Sequence, residues 1–199
     1  NCYLGSSSWI SVASDVPLRD PRMRTMTFDH VIPGRYIPIG TMQSGGASLE
    51  WVAGLVAGGG PADVAALVAA AATVPAADDG LVFLPYLIGE RSPWWRTDLR
   101  GTFLGLGRHH GPAHLARAVL EGVAFNLRTI LDALTAIGGP VGTIDAIGGG
   151  AKSDAWLAII ATILGTPVRR RSLVDEAGAL GAAVLGGIGV GLIDRWEAA

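Results

Sequence analysis

The chain has 199 residues, of which 50% are hydrophobic and 16% are charged, with 15 basic residues against 17 acidic ones. The apolar content is sufficient for a hydrophobic core and excludes a disordered chain, while the balance of charge argues against a nucleic-acid partner, which needs a basic excess. The single cysteine, Cys2, excludes a disulfide framework and a cysteine-based zinc cluster and is typical of a reducing compartment such as the cytoplasm.

The mean hydropathy of +0.42 is high, and it indicates either a surface that faces a partner domain or a segment that enters a membrane. The longest uncharged stretch, residues 177–193, is interrupted by glycines and is marginal against the roughly 20 residues of a membrane span. The start of the chain lacks the pattern of a signal peptide. We therefore expect no membrane contact and an apolar face that is covered by protein.

The first forty residues have the turn-rich, alternating pattern of β-strands. Residues 3–10 predict two strands joined by a tight turn, and residues 25–41 predict a second pair. Helices are predicted over 47–56 and over 61–73, where Pro61 suits the first helical position.

A short apolar strand is predicted over 81–84, followed by a long irregular loop over 85–100. A loop of this length in a compact domain usually has a function. Trp94 and Trp95 lie in it, and the sequence leaves open whether they line a cleft or anchor the loop in the core.

The second half of the chain alternates between strands and helices. The predicted elements are a strand over 102–106, a helix over 112–137, a strand over 144–147, a helix over 154–164, a strand over 167–169 and a helix over 176–190. This order predicts an α/β domain. The small residues of the last helix predict a smooth face that packs against another helix or against the glycine turn described next.

Three consecutive glycines, Gly148, Gly149 and Gly150, stand between a predicted strand and a predicted helix. Glycine lets a ligand approach the backbone closely, and a helix start offers free N–H groups and a positive dipole end. Ser153 or Asp154 could cap the helix. The pattern fits a nucleotide-binding loop, and it also fits a plain strand-to-helix turn.

The turn at Gly5, Ser6 and Ser7 is a second candidate, because small hydroxyl residues at a tight turn can donate hydrogen bonds to phosphate oxygens. A polar β-turn without a ligand is the alternative interpretation. The elbow of a serine hydrolase is excluded, because Trp9 occupies the place that requires a glycine after Ser7.

The segment 105–111 contains glycines but fails the dinucleotide-binding fingerprint, because its third glycine is one place late and no acidic residue follows at the required distance. His109 and His110 are adjacent in it, so their side chains are expected to point apart, and the sequence shows no third ligand nearby. We expect a surface pair without a metal. Arg117 and Glu121, one helical turn apart, predict an ordinary ion pair.

Five segments, in chain order, resemble motifs of the FGGY family of carbohydrate kinases. They are Leu4–Ser7, Pro85–Pro93, Gly101–Leu106 together with His114-Leu115 and Ala118–Glu121, Gly148–Ser153, and Ala179–Ala183. The chain is identified as a member of that family by this order, which extends over nearly its whole length. Within the family, Gly89–Arg91 and Met42–Gly46 most resemble the xylulokinases.

The resemblance implies an actin-like, ribonuclease-H-like α/β fold with a mixed sheet flanked by helices. It also implies that ATP, with Mg²⁺, and a sugar meet in a cleft between two domains, and that a phosphoryl group passes from ATP to a sugar hydroxyl, D-xylulose being the expected acceptor. Residues 1–199 would be the second, ATP-binding domain, and we expect the sugar-binding first domain to lie outside this chain.

The resemblance also implies roles for individual residues. Those expected to bind ATP are Gly5, Ser6, Ser7, Gly148, Gly149, Gly150, Ala151 and Asp154. Gly5 and Ser6 would face the transferring phosphate, and Trp9 would line the sugar side of the cleft. The family's general-base aspartate would precede Asn1, so we expect no catalytic residue and no metal ligand in this chain, and no activity from the chain alone.

A rival hypothesis from another functional class uses the same adenosine loop. In it, the chain is a non-catalytic, actin-like nucleotide-binding module of a sensor or a scaffold. The sequence leaves open which sugar is bound and whether the protein forms a homodimer.

Overall fold

The computed structural model of the chain describes residues 1–194. Its strands are β1 (Cys2–Leu4), β2 (Ser8–Ser11), β3 (Met26–Asp29), β4 (Tyr36–Met42), β5 (Val82–Leu84), β6 (Thr102–Leu104), β7 (Ile144–Ile147) and β8 (Val168–Arg170). Six of them form one sheet in the order β3-β4-β2-β1-β7-β8, and β5 pairs with β6 separately. The strand β7 runs parallel to β1 and β8, whereas the other pairs of the sheet are antiparallel. The predicted mixed sheet is thus confirmed.

The helices are α1 (Gly46–Val56), α2 (Val64–Ala72), α3 (Pro112–Gly138), α4 (Asp154–Leu164) and α5 (Ala177–Gly189). The 27-residue helix α3 is the centre of the domain. Its side chains Val119, Val123 and Leu127 lie on one face and are fully buried, and they form one core with the inward side chains of β1, β2, β4 and β7 and with Trp156 of α4. The Trp156 indole N–H donates to the Leu120 carbonyl at 3.3 Å.

Two predicted boundaries are wrong, and local backbone chemistry explains both. The second helix begins at Val64 rather than at Pro61, because the Asp63 side chain accepts a hydrogen bond from the Ala66 N–H and caps the helix there. The sixth strand ends at Leu104 rather than at 106, because Gly105 takes a φ of +86°, which takes the backbone out of the extended conformation.

The loop over 85–100 contains no helix or regular strand, as predicted, but it is tied to the domain. The Ser92 N–H donates to the Thr41 carbonyl at 2.9 Å, and Glu90 and Arg96 form an isolated antiparallel bridge. Trp94 and Trp95 are 48% and 44% exposed. They are therefore not core anchors, and a role in lining a cleft stays a prediction.

The last helix, α5, forms as predicted, but the packing expected for it is absent from the described part of the chain. None of its residues is buried, and a Cβ atom added at Gly178 or Gly181 would meet nothing within 4 Å. Within residues 1–194, nothing packs against these two glycines of the smooth face. Within residues 1–194, no helix is both long enough and apolar enough to cross a membrane.

Candidate functional site

An open cleft of about 780 Å³ lies between the ends of β1 and β7 and the helices α1, α2 and α4. This volume is within the usual range for small-molecule sites. The cleft brings together five of the predicted residues from distant parts of the chain, namely Gly5, Ser6, Gly149, Gly150 and Asp154. The two motifs therefore face one space, although more than 140 positions separate them in the sequence.

The turn between β1 and β2 is held by the start of α1. The N–H groups of Gly45 and Gly46 donate to the carbonyls of Ser6 and Gly5 at 2.8 and 2.7 Å, and the Ala47 N–H donates to the Ser6 carbonyl at 3.1 Å. Because its carbonyls are engaged in this way, the turn has a defined shape. The turn forms one end of the cleft, and the exposed Ser6 side chain lies at that end.

The triple glycine is a turn in which each residue has a different environment. Gly148 has a φ of +88°, and a Cβ atom there would lie 2.8 Å from the Leu4 carbonyl oxygen. At Gly150 a Cβ atom would lie 2.7 Å from the Trp156 ring, whereas at Gly149 it would meet nothing within 4 Å. Packing alone therefore requires Gly148 and Gly150, and Gly149 is the glycine whose surroundings leave space for a ligand.

The structure settles which residue caps α4. The chain passes through a short 3₁₀ turn at Gly149–Lys152, and the Ser153 hydroxyl oxygen then accepts the Trp156 N–H at 3.2 Å. Asp154 is left as the first helical residue, with its carboxylate at the rim of the cleft.

Two of the three charged side chains that line the cleft, Lys152 and Asp154, form ion pairs. Arg170 donates to the Asp154 carboxylate at 2.6 Å, so the negative charge that Asp154 brings to the predicted adenosine end is balanced. Lys152 forms an ion pair with Asp175, which raises the pKa of the Lys152 ammonium above its usual value. The cleft therefore has no cationic patch, and Glu50 adds a further carboxylate to its lining.

One wall of the cleft was missed by the sequence analysis. It is formed by α2, through Val64, Ala65, Val68 and Ala69. The small apolar side chains offer a flat surface of the kind that accepts an aromatic ring. The signal available in the sequence was the alanine content of this helix.

Four of the predicted residues do not line this cleft. Gly148 and Ala151 support the glycine turn from behind, with Ala151 fully buried. Ser7 is exposed, and its carbonyl accepts the Gly5 N–H at 3.1 Å. The Trp9 ring stacks on Tyr3, with ring centres 4.0 Å apart. The expected role of Trp9 on the sugar side of the cleft stays a prediction.

The histidine pair is less isolated than expected. Asp78, His109 and His110 place possible ligand atoms within 4.8 Å of one another, so the expectation of no third ligand is wrong. However, His110 Nδ1 accepts the Gly107 N–H at 2.8 Å, and His114 Nδ1 accepts a backbone N–H in the same way. Backbone N–H groups thus engage the Nδ1 atoms of both rings. We assign the cluster to holding the start of α3.

The pair of Arg117 and Glu121 is confirmed as an ion pair, with Nε and Oε1 2.6 Å apart. It also joins the segment after α2 to α3. The Arg117 guanidinium donates to the Val74 carbonyl, and the Ala77 N–H donates to the Glu121 carboxylate.

Comparison with known proteins agrees with this geometry. Residues 1–190 match the sequence profile of the C-terminal domain of the FGGY family of carbohydrate kinases. The chain is 38% identical to a xylulose kinase of Escherichia coli over 92% of this chain and 37% of that protein. It is 37% identical to a gluconokinase of Bacillus subtilis over 98% of this chain and 39% of that protein.

Solved structures give the same result for the fold. The xylulose kinase from Rhodospirillum rubrum superposes with a TM-score of 0.81 at 38% identity, over 95% of this chain and 38% of that one. The gluconate kinase from Lactobacillus acidophilus superposes with a TM-score of 0.84 at 32% identity, over 98% and 39%. The chain thus spans less than two fifths of the length of these relatives, and the predicted actin-like fold is confirmed. The chain belongs to the FGGY family of carbohydrate kinases, within which it matches the C-terminal domain.

Proposed function

We propose that this chain is the ATP-binding half of a sugar kinase that transfers the γ-phosphoryl group of ATP to a sugar hydroxyl. The observation that carries the proposal is the single cleft in which the turn at Gly5 and Ser6 faces the segment from Gly149 to Asp154. A phosphate chain extends from an adenosine, so a nucleotide needs two binding elements separated along one groove. The two motifs supply such a pair.

The adenosine is proposed to lie at the end formed by Gly149 and the apolar wall of α2. There the base would rest on small side chains, such as those of Ala65 and Ala69, without displacing any of them. The paired carboxylate of Asp154 stands at the same end and offers acceptors for hydroxyl groups. Apolar contact with a few polar groups at the edge is the usual composition of a cofactor site.

The phosphates are proposed to lie at the turn between β1 and β2. Phosphoryl transfer depends mainly on positioning and on stabilising charge, and the Ser6 hydroxyl and the turn's backbone can position an oxygen there. Mg²⁺ would neutralise charge on the phosphates. Glu50 and Asp154 are the carboxylates that line the cleft, and Asp154 is engaged by Arg170. Since Mg²⁺ binds largely through phosphate oxygens and water, we assign it to ATP rather than to a residue of this chain.

D-Xylulose is proposed as the first acceptor to test. Xylulose kinases stand among the relatives with 38% identity. A gluconokinase follows at 37%, so gluconate is the second acceptor to test. The sugar pocket and the general base are proposed to lie in a first domain outside residues 1–199.

The test uses the natural protein that contains this chain, at its full length. ADP release is measured with ATP, Mg²⁺ and a panel that includes D-xylulose and gluconate. Release that depends on one sugar supports the proposal and names the acceptor. Tight ATP binding without turnover on any sugar would instead support a nucleotide-dependent sensor, and the absence of ATP binding would contradict both functions.

A further inference from the structure

Glu90 is a buried carboxylate in the loop over 85–100, and hydrogen bonds hold both of its oxygens. Its side chain is almost fully buried, with a residue exposure of 3%. Oε1 accepts the Gln43 N–H at 2.8 Å and the Arg91 N–H at 2.7 Å, and Oε2 accepts from the Asn126 side chain at 2.9 Å. Burying a carboxylate is costly unless hydrogen bonds compensate, so this arrangement fixes the position of the group.

The bond to Gln43 connects Glu90 to the turn between β1 and β2. Gln43 is two residues before Gly45, and the N–H groups of Gly45 and Gly46 hold the carbonyls of Ser6 and Gly5. Four short segments of the chain are thus linked in series, from the loop to the end of β4, then to the start of α1, and then to the turn.

The connection between the start of α1 and the turn is tightly packed. A Cβ atom at Gly45 would lie 2.0 Å from Ser8 Oγ, and one at Gly46 would lie 2.8 Å from the Gly5 carbonyl oxygen. Close-packed groups transmit displacement rather than absorbing it. A shift of the backbone at Gln43 is therefore expected to move the turn.

We infer that Glu90 is a positioning residue that sets the shape of the turn at Gly5 and Ser6 through the backbone of Gln43. The inference rests on the proposed function, because the turn is assigned to the transferring phosphate. It adds a requirement that the proposed function does not contain, namely that the length of the Glu90 side chain, rather than its charge, controls the transfer step.

Two substitutions in the full-length natural protein separate length from charge. Glu90→Gln keeps the reach of Oε1 to the Gln43 N–H and removes the charge, whereas Glu90→Asp keeps the charge and shortens the side chain by one methylene. We expect Glu90→Asp to lower kcat by about 10- to 100-fold, because the shorter side chain leaves the buried Gln43 N–H without its acceptor, with KM for ATP nearly unchanged. Glu90→Gln should stay within about threefold of the wild-type kcat.

Asn126→Ala is the matched control, because it removes the donor to Oε2 and leaves both donors to Oε1. It should lower the melting temperature and leave kcat near the wild-type value. The inference is overturned if Glu90→Gln is slower than Glu90→Asp, if both variants turn over like the wild type, or if Asn126→Ala loses kcat as much as Glu90→Asp does. A kcat loss matched by a proportional rise in KM for ATP would also overturn it, because it would indicate general damage to the cleft.

Hydrogen–deuterium exchange tests the same connection without catalysis. In Glu90→Asp, the amides of residues 43–47 should exchange faster, while those of residues 157–163 in α4 should exchange at the wild-type rate. If the wild-type protein phosphorylates no sugar, the proposed function fails, but this measurement still decides whether Glu90 holds the segment. Unchanged exchange over 43–47 in Glu90→Asp would overturn the inference, and so would equal acceleration in α4.

If Glu90→Asp does not fold, the kcat of Glu90→Gln provides the test instead. A kcat more than threefold below the wild-type value contradicts the inference, and a kcat within that range supports it.

Discussion

The backbone of Gly150 lies directly against the indole ring of Trp156, so that a Cβ atom on Gly150 would be 2.7 Å from the ring. Trp156 is itself buried in the core against α3. The glycine turn therefore packs against the core at Gly150, whereas Gly149 faces the cleft and has open space next to it. Substitutions at these two neighbours should have different consequences.

Gly149→Val should weaken ATP binding with little effect on stability, because the added side chain enters the space proposed for the ligand. We expect a rise of about tenfold or more in KM for ATP, as the loss of a close backbone approach to the ligand implies. Gly150→Val should instead lower the melting temperature, because it collides with the Trp156 ring. Calorimetry with ATP and thermal unfolding of both variants check this. A Gly149→Val protein with unchanged affinity for ATP would show that the turn is only structural.

Ser6→Ala should lower kcat, and Ser6→Thr should have a mild effect because it keeps the hydroxyl. A hydrogen bond to a charged group contributes about 1.5–3 kcal/mol, which corresponds to roughly one to two decades in rate. Steady-state kinetics of the full-length protein provide the measurement. A Ser6→Ala enzyme with wild-type turnover would contradict the assignment of this turn to the phosphate.

Asp154→Ala should reduce ATP affinity by a few fold while changing the free energy of unfolding by less than about 1 kcal/mol, because an exposed ion pair contributes little. Asp145→Ala is the control, since Asp145 also accepts from an arginine, Arg169 at 2.7 Å, in a less exposed ion pair that does not line the cleft. The ATP dissociation constants of the two variants are compared with that of the wild type. Equal affinities in both would remove Asp154 from the site.

The stability of the protein should depend on pH through Glu90. Burial raises the pKa of this carboxyl to about 7, against the opposing effect of its hydrogen bonds and of the Arg91 charge. Because the pKa of Glu90 is higher in the folded state than in the unfolded state, protonation of this carboxyl stabilises the folded protein. That contribution to the free energy of unfolding is complete below about pH 4.5 and is lost as the pH rises to about 7.

Glu90→Gln has no such titration. As the pH rises from 5 to 8, the free energy of unfolding of the wild type should therefore fall relative to that of Glu90→Gln, by on the order of 3 kcal/mol. Urea unfolding of both proteins at the two pH values measures this difference. A constant difference between the two proteins would show that Glu90 does not titrate in this range.

Residues 1–199 alone should not phosphorylate a sugar, because the general base and the sugar pocket are proposed to lie outside them. ATP binding should be weak, since the first domain is proposed to supply a further wall of the ATP site. A coupled ADP-release assay on this chain with D-xylulose, run beside calorimetry with ATP, tests both statements. Sugar-dependent turnover would show that a complete active site lies within this chain.

Local patterns were sufficient to predict most of the elements, because helices and strands impose their own periodicity. The presence of α3 and the start of α4 near position 154 follow from short stretches of sequence, whereas the structure decided that Ser153 rather than Asp154 caps α4. The start of α2 was predicted wrongly, because Asp63 caps the helix more strongly than Pro61 favours its beginning. The packing of α5 could not be predicted in the same way, since a smooth face does not specify what covers it, and no residue of α5 is buried within residues 1–194.

The sequence by itself determined the class of the fold, the family, and the two motifs that form the ends of the cleft, because ordered motifs and glycine turns are local signals. Only the tertiary structure decided that α2 forms a wall of the cleft, that Gly150 packs on Trp156 while Gly149 is free of neighbours, and that Glu90 reaches Gln43. Glu90 and Gln43 are 47 positions apart, and no periodicity relates residues at that separation. Their contact follows from how the loop, β4 and α3 pack together, and that packing is a property of the whole domain.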